Sequence, residues 1–172
     1  MKPLFDFFEK PRNLALFLTL ASAGILGFAL VTQYVFGHQP CILCRYQRIP
    51  YYTVLVVGFF AAALAGIRPK WAFGLLLLSG LAFLSGLGIS GYHIGVEQNW
   101  WMGPRACGGA LPENLSLEAF REYMLNRDIV DCSVPGWTFL GLSMTTYNFV
   151  VSLALTVFTF LMAWRGRPKT TG

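Results

Sequence analysis

Residues 37–67 read GHQPCILCRYQRIPYYTVLVVGFFAAALAGI. From 49 to 67 no side chain carries a charge, a run of 19 residues. A helix needs about 20 apolar residues to cross the hydrocarbon core of a bilayer. The run is long enough, and Arg68-Pro69-Lys70 ends it: proline cannot continue the helical ladder, and two basic groups stay in water. Three further runs behave alike, at 14–36, 71–92 and 143–164, with 23, 22 and 22 residues. Of the 172 residues 55% are hydrophobic and only 12% charged, about half the charged fraction of a soluble domain. The expected fold is an all-α membrane protein: one membrane domain over 1–172, built as a four-transmembrane-helix bundle.

The run at 14–36 is too long for a removable signal, whose apolar region covers about 7 to 15 residues. Charge sets the threading. Lys2, Lys10 and Arg12 precede the first run, Arg68 and Lys70 separate the second from the third, and Arg165, Arg167 and Lys169 follow the fourth. Short loops rich in Lys and Arg stay cytoplasmic. Both termini are thus expected inside, with outer loops at about 37–47 and 93–142. The net charge of +5 is a topology signal, and no nucleic-acid partner is expected. No Asp, Glu or Lys falls within any run, which weighs against a transporter, where intramembrane ionisable groups are the usual mark.

Small residues (Gly58, Ala61, Ala65; Gly80, Ser85, Gly88) are expected to let the second and third helices approach closely. In the long loop, Leu117, Phe120 and Met124 recur at helical spacing and predict a short amphipathic helix over 116–126. Such a helix could cover interior surface or lie in the membrane interface. Trp100 and Trp101 read as part of an interfacial aromatic belt.

The chemistry rests on four cysteines. Cys41 and Cys44 form a Cys-x-x-Cys pair before the second run, a spacing that closes a reversible disulfide. Cys44 is expected near a helix N-terminus, where the dipole favours a thiolate. Arg48, four residues on, shares its helical face; it could stabilise that thiolate or simply snorkel to the headgroups. Cys107 and Cys132 lie in the long loop. They could be a structural staple, metal ligands or a second redox pair. The lone cysteines lack the spacing of a second metal knuckle. A pair tied to a helix end and a pair in a mobile aqueous loop favour the redox reading. His93, at the end of the third run, could hydrogen-bond a bound ring or relay protons.

At Cys41-Ile42-Leu43-Cys44, Arg48, Asp131-Cys132 and Trp137-Thr138-Phe139-Leu140-Gly141-Leu142 the chain resembles the DsbB family of bacterial disulfide bond formation proteins. The likeness covers essentially the whole chain. Pro50 is not a requirement of that pattern, and fits the first turn of a helix; Gly108-Gly109 is a second departure. The resemblance implies an inner-membrane, protein-dithiol:quinone oxidoreductase with periplasmic cysteines. It implies that Cys107 forms a mixed disulfide with a DsbA-like periplasmic thioredoxin-fold oxidase. Cys132 is its disulfide partner and can bridge transiently to Cys41. Cys44, Arg48 and His93 are implied at a quinone cofactor, ubiquinone or menaquinone. Rival readings are a membrane scaffold or transporter with two structural disulfides, and a thiol relay dedicated to one client.

Overall fold

The computed structural model describes residues 2–104, 107, 116–118, 121 and 130–167. Its elements in chain order are α1 (Lys2–Glu9), α2 (Pro11–Tyr34), α3 (Ile42–Leu64), α4 (Pro69–Glu97), β1 (Thr138–Phe139), β2 (Leu142–Ser143) and α5 (Met144–Arg165). Helices α2 to α5 are each long and apolar enough to cross a membrane. Most of the predicted helix over 116–126 lies outside the described residues.

The helices do not coincide with the apolar runs. Helix α3 starts at Ile42, within the Cys-x-x-Cys motif and ahead of the apolar run, because Arg45 and Arg48 interrupt that run but not the helical ladder. Pro50 is therefore inside α3 rather than in its first turn. Its missing N–H and the contact of its ring with Gly86 of α4, where an added Cβ would lie 3.3 Å from the ring, are absorbed by the neighbouring helix. Helix α4 likewise runs on to Glu97. The N-terminal tail contains α1, docked by edge-to-face rings: Phe8 lies 5.1 Å from Phe17 and 5.2 Å from Phe158.

The bundle is sequential: α3 packs on α2 and α4, and α5 on α4. Helices α2 and α5 touch only sparingly, so the ring of four leaves a seam. The core is Leu14, Leu18, Leu26, Tyr51, Val54, Leu76, Phe83, Leu155 and Met162. Small residues set the spacing, though not all of those expected. An added Cβ at Gly58 would run into the Thr19 side chain of α2, and one at Gly80 would lie 2.9 Å from Phe160 of α5. Gly88 faces open space and Ser85 is exposed; Gly86, two residues earlier, is the close contact. Apolar and small residues fill both faces of α4, so composition does not reveal which face is inside.

Before α5 the chain turns through a two-residue hairpin. Phe139 pairs with Leu142, and the connecting Leu140 and Gly141 have φ of 49° and 77°. Two positive φ values match the twist that a tight hairpin needs. Ser143 then caps α5, its hydroxyl accepting from the Thr146 N–H at 3.2 Å.

Candidate redox site at the cysteine end of the bundle

The site begins with the cap of α3. Cys41 is the N-cap residue, in extended conformation, and its sulfur accepts a hydrogen bond from the Cys44 N–H at 3.2 Å. The helix N-terminus thus favours an anion on Cys41, not on Cys44 as its position in the motif suggested. The two sulfurs are 2.8 Å apart and share a hydrogen bond. This contact from the Cys44 thiol is the main reason the Cys41 pKa falls from 9.0 to about 5. Burial works against the shift; the His93 ring and the Cys44 N–H add to it.

Cys107 and Cys132 form a disulfide. Neither sulfur is presented to solvent: Cys107 is 4% exposed and Cys132 0%. They pack with Cys41, Leu43 and Val96 in one buried cluster. The expected division between a helix-bound pair and an aqueous pair is therefore not what the fold builds. The sulfurs of Cys41 and Cys132 and a ring nitrogen of His93 lie within 4.8 Å of one another. With Cys132 held in a disulfide, this trio is no ligand set for a metal.

His93 is 2% exposed and organises the centre. Tyr51 Oη donates to Asn148 Oδ1 at 2.6 Å, and Asn148 Nδ2 to Gln47 Oε1 at 2.8 Å. Gln47 Nε2 then donates to His93 Nδ1 at 2.8 Å. That direction leaves the proton on His93 Nε2, which faces the Cys132 carbonyl at 3.2 Å and Cys41 Sγ at 3.7 Å. This tautomer satisfies the series from Tyr51 to Gln47; Thr145 Oγ1 also lies 3.2 Å from His93 Nδ1 but gives its proton to Glu97. Beside it, Glu97 accepts from Thr145 and Ser143 hydroxyls, each at 2.6 Å. Its carboxylate lies 3.9 Å from His93 Nε2, with a side-chain exposure of 5%.

Arg48 makes contacts that its spacing from Cys44 does not reveal. It shares the face of Cys44, but its guanidinium reaches across to α2, donating to Gln33 Oε1 at 2.6 Å and to the Ala29 carbonyl at 3.3 Å. It braces α3 against α2.

These residues border a cavity of about 460 Å³ in the seam between α2 and α5. Cys44, Gln47, Arg48 and His93 line one side, Ala29 and Phe28 another, and Trp137, Tyr147 and Asn148 a third. Most of the wall is carbon. The sequence reading gave no site role to Gln47, Glu97 or Asn148, nor to Trp137, which it named only within the segment that carries the family resemblance. Two signals were available: Gln47 sits three residues after Cys44, and Glu97 four after His93, both same-face spacings in a helix.

The family model described as disulfide bond formation protein DsbB matches residues 11–162. The chain belongs to the DsbB family. It is 33% identical over 165 residues to disulfide bond formation protein B of Hahella chejuensis, covering 92% of this chain and 96% of that protein. With the protein of the same name from Albidiferax ferrireducens it shares 32% over 164 residues, 91% of this chain and 90% of the relative. With that from Xanthomonas axonopodis pv. citri it shares 36% over 145 residues, 79% and 81%. As a DsbB-family chain with four spanning helices it is a multi-pass membrane helix bundle.

Proposed function

We propose that this DsbB-family chain is a protein-dithiol oxidase of the bacterial inner membrane. It re-oxidises a DsbA-like, thioredoxin-fold partner in the periplasm and passes the electrons through its two cysteine pairs to a membrane quinone. The observation that carries this is the convergence of Cys41 and the Cys107–Cys132 disulfide at an apolar-walled cavity in the seam between α2 and α5. The basic ends support cytoplasmic termini and periplasmic cysteines.

The relay balances as follows. A partner thiolate attacks Cys107, breaking its bond to Cys132 and releasing the Cys132 thiolate. The partner's second thiol resolves the mixed disulfide, so the partner leaves oxidised and Cys107 stays reduced. Where Cys41 and Cys44 are joined, the Cys132 thiolate attacks Cys41 and Cys44 leaves as thiolate. Cys107 then attacks Cys132, restoring the loop disulfide and leaving Cys41 and Cys44 with two electrons and their protons. A closed loop disulfide beside an open Cys41/Cys44 pair is the composition reached at that point. Thiol exchange proceeds only through such mixed disulfides, and the 4.8 Å grouping makes the Cys132-to-Cys41 step short.

The cavity suits a quinone ring: its wall is mainly apolar, and Cys44, Arg48 and His93 lie along it. A quinone bound there would supply a two-electron, two-proton sink. Cys44 is the sulfur nearest to that role because Cys41 is occupied by exchange with Cys132. His93 holds its proton on the nitrogen facing Cys41, where it supports the thiolate that exchange leaves behind. A strong acceptor is required. A DsbA-type partner sits near about −120 mV, and each uphill step of roughly 30 mV costs about 1.4 kcal/mol in a two-electron transfer.

The test is anaerobic mixing of the detergent-solubilised protein with a reduced thioredoxin-fold oxidase and a short-tailed quinone. Quinone absorbance should fall in step with partner oxidation, and Cys44→Ser should abolish it. Undiminished quinone consumption by Cys44→Ser, or none by the wild type, would overturn the proposal.

A further inference from the structure

Among the described residues, three buried side-chain polar atoms have no hydrogen-bond partner: Ser22 Oγ, Thr159 Oγ1 and Trp137 Nε1. The two hydroxyls lie inside the helical bundle and do not border the cavity. Trp137 does.

The indole cannot turn away to find a partner. It stacks on Tyr147, centroids 6.4 Å apart and planes 22° from parallel, and Phe28 of α2 meets it edge-on at 6.0 Å. Its backbone is held as well, the Trp137 carbonyl accepting from the Met144 N–H at 3.4 Å. The hairpin behind it is tied down by Tyr147 Oη, which donates to the Phe139 carbonyl at 2.9 Å. A rigid, buried donor with no acceptor is uncommon, and each instance calls for a reason. An indole N–H can only donate, so it fits a ligand that presents an acceptor oxygen to an otherwise carbon-rich wall.

We propose that Trp137 is a specificity-determining residue of the cavity, whose indole N–H donates to a ring oxygen of the bound quinone. This rests on the quinone reading above and adds the residue that separates a quinone from a plain acyl chain. Other donors along the wall are already engaged: Arg48 with Gln33 and Ala29 of α2, Gln47 with His93, and Asn148 with Gln47. Trp137 therefore offers an uncommitted donor from the α5 side of the seam. A hydrocarbon tail would fill the same apolar space and leave this N–H unpaired.

The experiment uses full-length protein in detergent, with the indole nitrogens 15N-labelled and a short-tailed quinone as probe. The Trp137 resonance, assigned by its loss in Trp137→Phe, should move downfield as quinone is added. A tail-matched alkane should leave it in place. By equilibrium dialysis, Trp137→Phe should bind the quinone up to about tenfold more weakly, the worth of one net hydrogen bond. Thermal unfolding in detergent, with a midpoint matching that of the wild type, shows that the variant is folded. If Trp137→Phe fails that control, replacing Trp137 with the isosteric benzothienyl-alanine, which lacks only the N–H, makes the same comparison. An unmoved resonance together with unchanged quinone affinity overturns the inference alone. A wild type that binds no quinone overturns the proposed electron acceptor as well.

Discussion

Cys41 owes its acidity to neighbours that can be removed one at a time. The largest is the hydrogen bond from Cys44. With the Cys41 pKa lowered to about 5, the thiolate persists above that pH and is lost as pH falls through it. In the reduced protein, ultraviolet thiolate absorbance should therefore titrate with a midpoint near about 5. Cys44→Ala should move the midpoint up towards the ordinary 9.0, while Cys44→Ser, which keeps a donor, should move it less. An unchanged midpoint in Cys44→Ala would show that the sulfur pair does not set the acidity. The chain of donors from Tyr51 to His93 makes a second claim. Asn148→Leu leaves Gln47 without its donor and frees the amide to turn. It should destabilise the fold by about 1 to 3 kcal/mol, measured by thermal unfolding in detergent. Loss of activity with no loss of stability would instead place Asn148 in the chemistry. Cys41, Cys44 and His93 were legible in the sequence because spacing and position mark them. The partners of Arg48 were not: its face on α3 is readable, but Gln33 and Ala29 belong to another helix. Nor could the local motif show that Cys41, rather than Cys44, caps α3.

Helices α2 to α5 were legible as apolar runs, and their ends were not. Hydropathy stops at the first charge, whereas backbone hydrogen bonding continues through Arg45 and Arg48 and on to Glu97. Gly58 and Gly80 are contact points, but with Thr19 of α2 and the Phe160 ring of α5 rather than with each other's helices, and Gly88 is none, because an apolar helix with small residues all round gives no inside face. The hairpin escaped notice because Leu140 is an unusual choice at positive φ. At the α2–α3 contact, a side chain on Gly58 must displace Thr19. Gly58→Val should cost about 1 to 3 kcal/mol of overpacking, whereas Gly74→Ala, with open space around it, should be neutral or slightly stabilising. Thermal unfolding of the two variants side by side decides it; equal midpoints would mean that the helices are not in the contact described.

Composition and spacing gave no sign that the two cysteine pairs converge; only the family resemblance implied it, through a transient Cys132–Cys41 bridge. The loop reading left Cys107 and Cys132 in water, and the fold packs them against Cys41. The double variant Cys44→Ser/Cys107→Ser leaves Cys41 and Cys132 as the remaining thiols, held close together. On mild oxidation these two should cross-link within single chains, seen by peptide mapping. Cross-links found only between chains would break the relay. At the far end, Arg165 and Glu9 pair at 3.0 Å, with side chains 54% and 34% exposed. Such a surface pair is worth at most about 1 kcal/mol, so Arg165→Gln should barely shift the unfolding midpoint.

The sparse contact between α2 and α5 decides how a visitor is counted. A cleft that gives onto neighbouring lipid samples molecules by their mole fraction in the membrane, not by their molarity in water. A greasy tail can remain among the acyl chains while only the head group leaves them. Diluting the protein into more detergent should therefore starve it of such a visitor even at constant aqueous concentration.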